Sequence, residues 1–91
     1  VTFERIAPQV VRHSEGYQVQ IADRWHLAYV EIAQAALVDA DLEGPVVRLQ
    51  SESVMWTEPS ERKPTDAERL MILDRVVQGV LAMGDGCVVN T

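Results

Sequence analysis

Hydrophobic and polar positions change period along this chain, and each change marks an element. Tyr17, Val19 and Ile21 alternate with Gln18 and Gln20, the two-residue period of a strand with one buried and one wet face. Gln9–His13 precedes them across Ser14-Glu15-Gly16. A glycine in so short a loop permits positive φ, so the pair predicts a β-hairpin. Thr2 to Ala7 reads as an extended lead-in that Pro8 ends.

The period lengthens after Pro64. Leu70, Leu73, Val76, Val77, Val80 and Leu81 recur at helical spacing, with Arg69, Asp74, Arg75 and Gln78 on much of the other side. Both ends are marked. Thr65-Asp66-Ala67-Glu68 is a capping box, in which the Thr65 hydroxyl accepts from the Glu68 amide and the Glu68 carboxylate from the Thr65 amide. Asp66 and Glu68 lie where the helix dipole favours negative charge. Gly84 is placed as the left-handed C-terminal cap. About eighteen residues give a rod of roughly 27 Å, the width of a small domain.

Between these two regions the pattern is ambiguous. Ala28, Ala33, Ala35, Ala36 and Ala40 favour a helix over Leu27–Val38, whereas Tyr29, Val30 and Ile32 favour a strand over Leu27–Ala33; the helix is the expectation. Gly44-Pro45 then breaks the chain before a strand at Val46–Leu49, and Ser51-Glu52-Ser53 turns into Val54-Met55-Trp56. Thr57 to Pro64 is a polar loop, and Cys87–Val89 a short edge strand. The expected fold is α+β. A small antiparallel sheet, made of the N-terminal hairpin plus later strands, is covered by a long C-terminal amphipathic helix. Residues 1–91 form one domain.

Charge narrows the partners. Fourteen acidic residues against eight basic ones leave −6, which disfavours nucleic acid and anionic membrane as direct ligands and suits a basic protein surface. The lone Cys87 fits a reducing compartment. There is no apolar run of about 18 residues and no basic-then-apolar leader, so the expected location is cytoplasmic.

No motif carries chemistry. His13 and His26 lack neighbouring ligands at metal spacing, and Cys87 has no base beside it. Asp39-Ala40-Asp41 with Glu43, and Glu58 with Glu61, read as solvated loop faces rather than acid–base pairs. Gly84-Asp85-Gly86 ends a helix instead of opening one, so it is no phosphate cradle. Trp56 is either a core anchor or an interface anchor. No catalytic residue, cofactor or metal is expected.

Several positions form a wider pattern: Glu15-Gly16-Tyr17 in the hairpin, Ser53, Trp56 and Pro59 around the loop, then Thr65, Glu68-Arg69, Ile72-Leu73 and Gly84. This resembles the small immunity proteins of bacterial polymorphic-toxin systems, in particular the family numbered 74 among them. The segment Trp25 to Gly44 is longer than that pattern has. The resemblance implies a cytoplasmic, non-catalytic antidote that binds the toxic domain of a cognate effector, and the acidic charge suits a basic nuclease as that domain. Charge and aromatic character then nominate Asp39, Asp41, Glu43, Glu58 and Glu61 as contacts, with Trp56 or Trp25 near the centre. Two other readings compete: an interaction or secretion-adaptor domain, and a small enzyme using scattered carboxylates with His13 or His26. An edge at Cys87–Val89 or Thr2–Ile6 offers a route to a homodimer.

Overall fold

The computed structural model describes residues 3–90; the Thr2 end of the expected lead-in strand and edge lies outside them. The alternating segments are strands as predicted. β1 (Phe3–Ala7), β2 (Val10–His13) and β3 (Gln18–Asp23) form an antiparallel meander with Phe3 opposite His13 and Val11 opposite Val19. Gly16 turns β2 into β3 at φ +103°. Val11 and Val19 point inward and are buried.

The helix expected over Leu27–Val38 is absent, and two antiparallel strands replace it: β4 (His26–Val30) and β5 (Ala35–Asp41). Leu27 and Tyr29 face inward opposite Val38 and Ala36. The turn is closed by Glu31 N donating to Gln34 O at 2.8 Å and by Gln34 Nε2 donating to Glu31 Oε1 at 2.9 Å. Alanine favours helix only where packing does not decide. Here Ala36 and Ala40 are the small inward residues across from Trp56 and Leu49, and bulkier side chains would push those partners away.

One strand opposite β5 is broken in the middle. β6 (Val46–Gln50) pairs with the Ala40–Asp41 end of β5, a single 3-10 turn at Ser51–Ser53 follows, and β7 (Met55–Glu58) pairs with the Ala35–Leu37 end. The break frees β6 to leave β5 and pair in parallel with β8 (Gly86–Asn90). The sheet order is β1-β2-β3-β4-β5-β6-β8, with β7 beside β5.

The expected small, wholly antiparallel sheet under a long helix is therefore corrected. The described residues are 48% strand and 23% helical, and the sheet curls into a half-barrel, with the helix as one element against it. Helix α1 (Asp66–Ala82) lies against β2, β3, β4 and β8. Its buried face is Ile72, Leu73, Val76, Gly79 and Val80. Leu70 and Leu81, expected on that face, are 61% and 50% exposed, because Ile72 and Gly79 move the contact line about a fifth of a turn around the rod.

Both helix ends match the sequence. Thr65 and Glu68 close the capping box at 3.2 and 2.9 Å. Gly84, φ +97°, closes a Schellman motif in which its amide donates to Leu81 O and the Asp85 amide to Val80 O. Arg5 Nη2 donates to Met83 O at 2.8 Å, tying β1 to the negative end of the helix dipole. The core inside the curl holds Trp56, Tyr29, Leu27, Leu49 and Ile72. Burying each aliphatic one contributes about 1.5–3 kcal/mol. Among the described residues, no helix is long and apolar enough to cross a membrane.

Candidate partner-binding rim

Antiparallel order decides which loops meet. The β1–β2 turn, the β3–β4 turn and the β5–β6 loop all lie at one end of the half-barrel. Because β8 is parallel to β6, the turn from α1 into β8 joins them. Four separate stretches of sequence thus form one mouth, and most of its charge is negative.

The β3–β4 turn is built by Asp23. Its Oδ1 accepts the Trp25 amide at 2.8 Å, and its two oxygens lie 2.8 and 3.0 Å from His26 Nδ1. The Trp25 amide first, and the imidazole second, hold the Asp23 carboxyl below the usual carboxylate range. The turn leaves the Trp25 indole 49% exposed. Across β4, His26 Nε2 is 3.4 Å from Asp39 Oδ1. On the next connection Asp41 Oδ1 accepts the Glu43 amide at 3.1 Å, and Glu43 meets Arg24 at 3.5 Å. Asp41 stands opposite Arg48 in register. Asp85 adds a fifth carboxylate from the helix–β8 turn.

Two hollows flank the Trp25 turn. One, of ≈380 Å³, opens at the mouth itself, with Ile21, Leu42 and Val47 among its lining and Asp23, Arg24 and Asp85 beside them. The other, of ≈310 Å³, lies between Trp25, His26, Asp39, Asp41 and Gln50. On the outer face Asp39 continues into a less polar strip: Ala35 and Leu37 of β5, Val30 of β4 and Met55 of β7. An apolar patch with a charged rim has the anatomy of an interface.

The nominated residues divide. Asp39, Asp41 and Glu43 come together at the rim beside Trp25. Glu58 stands opposite Ala35, at the other end of β5, and Glu61 follows it in the exposed loop. Trp56 is 1% exposed, so it is a core anchor and offers nothing to a partner. Arg62 seals it: their backbones pair at 3.0 and 3.1 Å, and the guanidinium lies 5.2 Å from the indole centre. Arg62 also grips Glu68 bidentately at 3.1 and 3.0 Å. That grip, with the Thr65 amide, brings the Glu68 carboxyl down to about 2. The Trp56 indole N–H is buried without a hydrogen-bond partner.

Sequence reasoning missed Asp23 and Asp85 at the rim. Asp23 was legible in principle, since an aspartate two residues before Trp25 is an Asx-turn signal; reading the following residues as a helix hid the hairpin it opens. It also missed a cluster at the opposite end. The Tyr29 hydroxyl donates to Glu31 and accepts from Arg75 Nη1 at 2.7 Å. Arg75 lies 4.6 Å from the Tyr17 ring centre, which is stacked on buried His13. Burial, then the Glu31 bond, raises the Tyr29 hydroxyl well above its ordinary value, so it stays protonated and braces helix to sheet. His13 Nδ1 is used by the Glu15 amide. Burial likewise pushes the Cys87 thiol up, away from nucleophilic character. Among the described residues, no group of three or more His, Cys, Asp or Glu side chains could hold a metal ion.

No family model, no curated protein and no solved structure matches this chain.

Proposed function

We propose that the protein is a non-catalytic binding module that docks a basic protein surface against the mouth rim, and that it acts as the antidote to a toxic domain carrying such a surface. The observation behind this reading is that Asp39 and Asp41 share one hollow with half-exposed Trp25 while Asp23 and Asp85 line the neighbouring one, with Arg24 paired to Glu43 and Arg48 opposite Asp41 as the adjoining guanidinium groups. An acidic rim of this kind raises the encounter rate with a positive groove and rejects acidic partners. The toxin identity and the cytoplasm as site of action come from the family resemblance of the sequence. The test is capture of the partner from source cells with tagged wild type beside the Asp39→Lys, Asp41→Lys double variant. One basic domain, retained in stoichiometric amount by the wild type and lost by the variant, is expected. Equal retention by both, or an acidic partner, would sink the proposal.

A second reading, the adaptor, is favoured by β8, an edge strand whose five residues Gly86–Asn90 carry no charge. Such an edge suits strand addition. In that case capture survives the rim substitutions and is lost when Val88 is replaced by proline.

A further inference from the structure

We infer that the mouth hollow receives a single arginine side chain projecting from the partner's surface. This deepens the docking reading above and rests on it.

Three features of the hollow select that group. Ile21, Leu42 and Val47 give an apolar lining along which a methylene stem can lie. Asp23 and Asp85 stand on walls supplied by different elements, the end of β3 and the turn after α1. The one cation in the lining, Arg24, is paired with Glu43 at 3.5 Å. A purely apolar knob would strip water from Asp85 and from the lone pairs of Asp23 that the Trp25 amide and His26 leave open, and would return no hydrogen bond. An anion would meet both carboxylates directly. An ammonium is a compact point charge, whereas a guanidinium presents five N–H donors in a rigid fork that can serve two separated walls. At ≈380 Å³ the hollow is within the size range of small ligand pockets, and a β-barrel mouth is a common place for one.

The side chain can be tested without the partner. n-Butylguanidinium reproduces its stem and head, and n-butylurea is the uncharged counterpart of the same shape. Each is titrated into the full chain labelled with nitrogen-15. The guanidinium should shift the amides of Ile21, Leu42, Gly44, Val47 and Asp85 in a saturating manner. The urea should bind more weakly by up to about fivefold, the upper worth of one exposed charge pair. Asp85→Lys should abolish the shifts by placing its own ammonium in the hollow. Should that variant lose its dispersed spectrum, Asp85→Asn should still weaken the guanidinium selectively. Equal binding of the two compounds, or shifts elsewhere on the surface, overturns the inference. A silent mouth, with partner capture still dependent on Asp39 and Asp41, removes this inference and leaves the docking reading standing. Capture indifferent to those two residues removes the docking reading.

Discussion

Gly79 lets α1 approach β3 more closely than any side chain would permit. A Cβ built there would lie 2.6 Å from the Cβ of Val19 and within 3 Å of both its methyls, and a β-branched core residue has little freedom to yield. Two effects oppose each other in Gly79→Ala. Helix propensity favours alanine by about 1 kcal/mol, while overpacking a filled core costs about 1–3 kcal/mol. The clash is with Cβ itself and not with a flexible tip, so the second effect should win and the variant should be less stable in urea denaturation. A stabilised variant would mean that helix and strand can separate cheaply. Tyr29→Phe tests the other residue-scale junction. It removes the hydroxyl between Arg75 and Glu31, which are already 3.8 Å apart and free to pair directly. The cost should therefore stay near 1 kcal/mol, the net worth of an ordinary hydrogen bond.

At the scale of elements, helix α1 and the broken strand opposite β5 show where the sequence was legible. The ends of α1 were readable because capping is local: Thr65, Glu68 and Gly84 act within one turn. Its buried face was only half readable, since Leu70 and Leu81 fit the period and only the tertiary position of Val19 makes Gly79 the contact. The β4–β5 hairpin was misread for the same reason. The size of Ala36 is dictated by Trp56, twenty residues away. The rim followed from that error: Asp39 and Asp41 were chosen as charges, but their meeting with Asp23 and Trp25 depends on the hairpin. The cap also supplies a pH prediction. The Glu68 carboxyl titrates at about 2 instead of its ordinary 4.5. Its contribution is thus complete above about 4.5 and is lost as pH falls through about 2. Glutamine can still serve a capping box, so Glu68→Gln removes chiefly the charge-assisted bond to Arg62. In urea, wild type should exceed Glu68→Gln in stability at neutral pH, and the gap should close near pH 2. A gap unchanged across that range would exclude Glu68 ionisation as its source.

The whole molecule measures only 30 × 27 × 22 Å, yet its two ends are electrostatically separate. Asp41 at the rim is six residue steps along β5 from Ala35, which stands opposite Glu58. At about 3.3 Å per residue that is roughly 20 Å, more than twice the screening length of about 8 Å at physiological salt. Charges at the far end therefore add little to the field that an approaching partner meets at the mouth. The consequence separates two sets of carboxylates that the bare sequence could only group together. At physiological salt, where the two ends are screened from each other, Asp39→Lys with Asp41→Lys should slow association with a basic partner by up to about tenfold, the lower end of typical steering effects. The deficit should shrink as salt rises, while dissociation changes less. Glu58→Lys with Glu61→Lys changes the net charge by the same four units, from −6 to −2, and so controls for total charge. Stopped-flow association at several ionic strengths distinguishes the cases. If both double variants slow binding alike, net charge and not the rim governs the encounter. If only the first does, the partner arrives at the mouth, where the turns of β3, β5 and α1 were brought together by the curl of the sheet.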